Sequence, residues 1–148
     1  MEQIFETTFL KKVLVIDDSE TDRYVAKHII QKCQFASEII VKESAPRALE
    51  YIRSLEGTPD ELPQLIFLDI RMPEMDGFGF LDEYSKLPDC VKSNSVIMML
   101  STSLDPDDHE RATKNTYVNR FLNKPLNKEK ILMLRQEFFT NNGQKHQS

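Results

Sequence analysis

The chain has 148 residues, 40% of them hydrophobic, with 4 glycines and 7 prolines, which suits one compact domain and excludes a collagen-like or linker-like chain. Its 24 acidic residues against 19 basic ones leave a net charge of −5, which argues against nucleic-acid binding through phosphate-neutralising patches. No run approaches the ~18 apolar residues needed to span a bilayer, and the start, MEQIFETTFLKK, lacks the basic-then-apolar order of a signal peptide, so a cytoplasmic protein without membrane contact is expected.

Residues 13–16 are a short β-branched and apolar run that ends in Asp17, Asp18 and Ser19. Ser19 can cap a helix carrying Val25, Ile29 and Cys33 at four-residue spacing. Residues 38–41 predict a second strand. Ser44 then opens a helix with Pro46 in its first turn, Ala48, Leu49, Ile52 and Leu55 as its stripe, and Gly57 placed to end it. The segment 58–64, TPDELPQ, reads as a loop, and 65–68 as a strand without polar interruption, buried on both faces. Met72-Pro73 and Asp76-Gly77 punctuate the next loop before a short helix over 78–87. A fourth strand covers 96–100, and Asp105 caps a polar helix that ends near Asn115. A fifth strand covers 118–122, and Asn127 caps a last helix carrying Ile131, Leu134 and Phe138. These boundaries divide the chain into an N-terminal extension (1–11), one domain (12–139) and a polar tail (140–148).

Five alternations of strand and helix, with uninterrupted apolar strands, mean parallel strands joined by crossover helices: an α/β three-layer, doubly wound sandwich. Ligands of such sheets bind outside the carboxyl ends of the strands. Strand one ends there in Asp17 and Asp18, strand three in Asp69, strand four in Ser101 and Thr102, and strand five runs into Lys124-Pro125. Three carboxylates brought together repel one another unless a cation sits among them. Hard oxygen ligands suit Mg²⁺, with Mn²⁺ as the alternative. A lysine and a hydroxyl alongside describe a place for a phosphoryl group next to a nucleophilic carboxylate. Taken singly, the acid pair is an ordinary helix start and KP an ordinary turn; their order at successive strand ends is what separates the two readings. Cys33 and Cys90 form no CxxC pair and read as reduced thiols. His28, His109 and His146 lie on polar stretches without a partner that implies catalysis or metal binding.

The stretches VLVIDDS, LIFLDIRMPEMDG, VIMMLSTS and FLNKPL, in that order, resemble the receiver domain of two-component response regulators, and the wording is most similar to stand-alone regulators of the Bacteroidetes type. The resemblance implies a flavodoxin-like strand order 2-1-3-4-5 with five helices. It implies Asp69 as phosphoacceptor, and Asp17, Asp18, Asp69 and the backbone carbonyl of Arg71 as ligands of the cation. Ser101 and Lys124 would hold the phosphoryl group, and Phe121 would rotate inward when Ser101 moves. Arg71, Thr102 and Ser103 fall at positions that tune rates, Thr102 standing where a small Ala is usual. The loop 58–64 is longer than is common, and the Gly usual before the fifth strand is missing near Asn115 and Thr116. The implied role is a single-domain phosphorelay regulator, a signalling domain and not an enzyme. A sensor histidine kinase or histidine phosphotransfer protein would phosphorylate it, and a protein target would bind residues 105–139. A phosphate carrier is the alternative. An interaction module that never takes phosphate would lack an Asp or the Lys. An Asp-nucleophile phosphatase would carry a second acid two residues after the nucleophile, where this chain has Arg71.

Overall fold

The computed structural model describes residues 9–147. Along it run β1 (Leu10–Ile16), α1 (Glu20–Lys32), β2 (Ala36–Lys42), α2 (Ala45–Ser54), β3 (Leu65–Leu68), α3 (Gly77–Tyr84), α4 (Asp89–Lys92), β4 (Val96–Ser101), α5 (Pro106–Lys114), β5 (Val118–Asn123) and α6 (Lys128–Gln147). All neighbouring strands pair parallel in the order β2-β1-β3-β4-β5, the doubly wound arrangement. Strand order reverses between β1 and β3, the switch point where such sheets open a crevice.

Period-two alternation sorts the central strands into two cores. Leu14, Ile16, Ile66, Leu68, Ile97 and Met99 pack with α2, α3, α4 and α5. Val13, Val15, Leu65, Phe67, Met98 and Leu100 pack with α1 and α6. Both faces of β3 are therefore buried, which is why its sequence shows no polar residue.

Several elements differ from expectation for identifiable reasons. The stripe of α1 is rotated by one residue: Ala26 and Ile30 are buried, Val25 is exposed, and Ile29 and Cys33 are half-buried. Two adjacent i,i+4 series are available, and the one carrying the small Ala26 seats against the sheet. α2 ends without a glycine cap. The N–H groups of Leu55, Glu56 and Thr58 close tight turns on Ile52, Arg53 and Leu55, and no described glycine has positive φ. The helix expected over 78–87 ends at Tyr84, and Pro88 starts a separate single turn, α4, beyond that span, so that five longer helices and this one turn are described. β1 begins at Leu10 because Lys12 is buried along its stem while its ammonium reaches the Glu61 carbonyl and lies 3.8 Å from Glu38. Of the extension expected over 1–11, residues 1–8 lie outside the described residues. α6 runs on to Gln147, through the stretch expected as a tail, and Ser148 lies outside the description.

At the end of α1, Gln34 has φ 53°. Its N–H donates to Gln31 and the next N–H, of Phe35, donates to Ile30, both at 3.0 Å, while Phe35 and Ile30 are fully buried. This is the Schellman termination that normally uses glycine. Gln34→Gly is expected to raise stability by about 0.5–1 kcal/mol by relieving the left-handed backbone. Urea unfolding checks it, and a destabilised variant would contradict it.

Candidate functional site

β1 and β3 end side by side, with Ile16 in register with Leu68 and the Asp69 N–H donating to the Ile16 carbonyl at 3.0 Å. Asp17 is held the same way against β2, its N–H donating to the Lys42 carbonyl. The two carboxylates thus leave neighbouring strands at the same level. Ser19 caps α1 through the Asp22 N–H, its own N–H donates to Asp17 Oδ1 at 2.9 Å, and Arg23 donates to the Asp17 carbonyl. Asp17 and Asp69 are buried and Asp18 is exposed. Each offers one oxygen, and the three oxygens lie within 4.8 Å of one another.

The Asp69 end of β3 is also pinned by α3. Gly77 donates to the Ile70 carbonyl at 2.8 Å, and a Cβ on it would lie 2.5 Å from the Asp69 carbonyl oxygen and 3.0 Å from the Ile70 Cα. Backbone cannot yield as a flexible side chain would. Gly77→Ala is therefore expected to cost about 1–3 kcal/mol and to shift the Asp69 strand end. Urea unfolding and the extent of phosphorylation in the test below check this, with wild-type values for both counting against it.

Across the crevice, β5 delivers Lys124, whose bond to Pro125 is cis. Its ammonium lies 2.6 Å from Asp17, 2.7 Å from Asp22 and 3.5 Å from Asp69. Asp22 was not legible as a site residue: in the sequence it is an ordinary first-turn acid of a helix. Burial pulls the Lys124 ammonium down, but hydrogen bonds to Asp17 and Asp22 and the charge of Asp69 outweigh it and hold its pKa above the usual lysine value. The Asp69 carboxyl is pushed up to about 6, first by burial and then by the charge of Asp17, against the pull of Lys124 and of the Ile70 N–H that donates to it at 2.9 Å.

Ser101 is buried at the end of β4, where its Oγ accepts from the Ser103 N–H at 3.1 Å. Thr102 is exposed. Arg71 directs its guanidinium to Asp108 on α5, which also accepts from the Ser103 hydroxyl at 2.6 Å. Phe121 is half-buried, and His109 packs against it with ring centroids 3.9 Å apart and the rings tilted by 32°, while its Nε2 lies 3.0 Å from the Ser103 carbonyl oxygen. His109 and Asp108, which the sequence left without a role, thus join the Ser103 loop to Phe121 and Arg71. No local signal marks them, because PDDHER reads as a solvated helix start.

Strand order and the acid cluster at the switch point together define a doubly wound α/β domain with its site at the carboxyl ends of the strands. The family model of the response regulator receiver domain matches residues 13–135, and the chain belongs to that family. A two-component response regulator from Cytophaga hutchinsonii has the same fold with a TM-score of 0.81 and 27% identity, covering 88% of this chain and 98% of that one. The chain is 30% identical over 119 residues to the probable methanogenesis regulatory protein FilR2 of Methanothrix harundinacea, covering 80% of this chain and 75% of FilR2. It is 27% identical over 129 residues to the response regulator Rcp1 of Synechocystis, covering 85% and 84% respectively. The chain is a response regulator receiver domain acting in two-component phosphorelay signalling. Among the described residues, no helix is long and apolar enough to cross a membrane.

Proposed function

We propose that Asp69 accepts a phosphoryl group from the phosphohistidine of a sensor histidine kinase or a histidine phosphotransfer protein. The observation that carries the reading is a buried Asp69 carboxylate with Asp17, Asp18 and the Lys124 ammonium gathered around it. One Asp69 oxygen attacks phosphorus in line, the P–N bond breaks, and the imidazole leaves, taking a proton from solvent. Asp17, Asp18, Asp69 and the Arg71 backbone carbonyl would hold a divalent cation, Mg²⁺ first and Mn²⁺ as the alternative. The donor set fits: hard oxygens of Asp17, Asp18 and Asp69 lie together, and Asp17, Asp22 and Asp69 share the ammonium of Lys124. When bound, the ion neutralises charge on the phosphoryl oxygens. Rcp1 has a solved Mn(2+)-bound form, which supports a divalent ion here.

The Ser101 hydroxyl donates to one phosphoryl oxygen and Lys124 to another. To do so Ser101 turns away from the Ser103 N–H and Lys124 moves off Asp22. Phe121 and its His109 partner follow, and the face formed by residues 105–139 changes its affinity for a cytoplasmic protein target. The test is incubation of the purified chain with Mg²⁺ and acetyl phosphate, followed by intact mass, beside Asp69→Asn. One base-labile phosphoryl group on the wild type and none on the variant is the expected result. If neither acetyl phosphate nor beryllofluoride with Mg²⁺ gives an adduct, the phosphoacceptor reading is wrong.

A further inference from the structure

Asp108 is the one buried carboxylate among the described residues outside the Asp17, Asp18 and Asp69 cluster. It sits at the start of α5 with 4% of its surface exposed, and both its partners come from the mouth of the Asp69 crevice. The Arg71 guanidinium donates to its Oδ2, and the Ser103 hydroxyl donates to the same oxygen at 2.6 Å. Asp105 reinforces the pair: its carboxylate lies 3.9 Å from Arg71, and its N–H donates to the Ser103 Oγ at 3.3 Å. Ser103 in turn holds Ser101 through its N–H.

Arg71 lies two residues after Asp69, with Ile70 between them committed to the core. Its side chain is 62% exposed. A long, planar, always-charged fork placed there matches phosphoryl oxygens bidentately. In this structure that fork is turned to α5 instead, and the charges that act on Asp69 are those of Asp17, Lys124 and Asp18. We propose that Asp108 is a positioning residue that parks Arg71 away from the phosphoryl group, leaving the in-line path to phosphorus open to water and thereby keeping the phosphorylated state short-lived. The inference rests on the phosphoacceptor reading above and concerns only the decay of that state. In the decay, water attacks phosphorus, the bond from phosphorus to the Asp69 oxygen breaks, and the products are the Asp69 carboxylate and dihydrogen phosphate. Both water protons leave on the phosphate, so charge and atoms balance.

The test follows hydrolysis by intact mass after phosphorylation of the full chain with acetyl phosphate and Mg²⁺ and removal of the donor. Asp108→Asn, which keeps the shape and loses the charge, is expected to slow hydrolysis by about 3–10-fold as the released guanidinium covers the phosphoryl oxygens. The slowing should vanish when Arg71 is absent, so that Arg71→Ala and the Arg71→Ala/Asp108→Asn pair decay at the same rate. A loss of packing alone would act equally in both backgrounds. Unchanged or faster decay in Asp108→Asn, or a slowing that survives without Arg71, overturns the proposal. Asp108→Ser retains a short acceptor for Ser103 and takes the place of Asn if that variant does not fold. A wild type that takes up neither phosphoryl group nor beryllofluoride refutes the phosphoacceptor reading itself. Normal uptake with equal lifetimes refutes this inference alone.

Discussion

Asp69→Asn should make the protein more stable near neutral pH when divalent ions are removed, by about 3 kcal/mol. The Asp69 carboxyl moves from an ordinary 3.8 to about 6 on folding, because burial and the Asp17 charge both disfavour its ionised form. With the folded value above the unfolded one, the native state holds its proton more tightly than the unfolded chain does. Stability from this group is therefore full below pH 3.8, falls as pH rises towards 6, and its loss is complete above that. Asn mimics the protonated acid and can keep the hydrogen bond from Ile70 without the charge. The gap between variant and wild type should thus open across that pH window, measured by urea unfolding in EDTA at several pH values. A gap that is constant with pH would show that Asp69 is not strained by ionisation. Adding Mg²⁺ should narrow it, since only the wild type keeps all three carboxylates to hold the ion.

The opposite effect is expected at Lys124. Its side chain is 9% exposed, and its ammonium touches Asp17 and Asp22 while standing 3.5 Å from Asp69. Lys124→Met keeps the length and apolar stem but leaves Asp17 and Asp69 buried without a counter-ion. Removing one partner of a buried ionic cluster costs about 3–5 kcal/mol, here again in EDTA. Mg²⁺ should recover part of the loss, because a cation held by the acids replaces the missing charge. Combined with Asp69→Asn, the loss should be smaller than the sum of the two single effects predicts, since one of the repelling charges is gone. Urea midpoints for the single and double variants decide it: strict additivity, or a Lys124→Met protein as stable as wild type, would mean that Lys124 is not the internal counter-ion of this cluster.

These two predictions describe one device from both sides. At rest, Lys124 neutralises an acid cluster that would otherwise destabilise the sheet edge. In the proposed function a divalent ion and a phosphoryl group would compete for the same partners, and movement of Lys124 and Ser101 would be the local event passed to the loop before α5. Contacts run from that loop through Ser103 to Asp108 and His109, and from His109 to Phe121.

Much of this architecture was legible in the linear chain. The uninterrupted runs of β3 and β4 needed burial on both faces, and such strands joined by amphipathic helices leave few arrangements other than a doubly wound parallel sheet. The acids, hydroxyls and lysine at the strand ends marked the site edge, because the carboxyl ends of parallel strands all lie on one side of the sheet. Tertiary structure decided what local pattern leaves degenerate. α1 offers two neighbouring stripes, and only contact with the sheet selects Ala26 and Ile30. Asp22 and Asp108 look like any first-turn helix acid, and become partners of Lys124 and Arg71 only when α1 and α5 dock beside residues far away in the chain. Gly77 reads as a turn residue, yet the room it leaves is demanded by the Asp69 backbone. Sequence determined where polar groups had to emerge, since periodicity and burial are local properties. Which of them meet, and so which charges offset which, was set by the packing of elements whose partners lie tens of residues away.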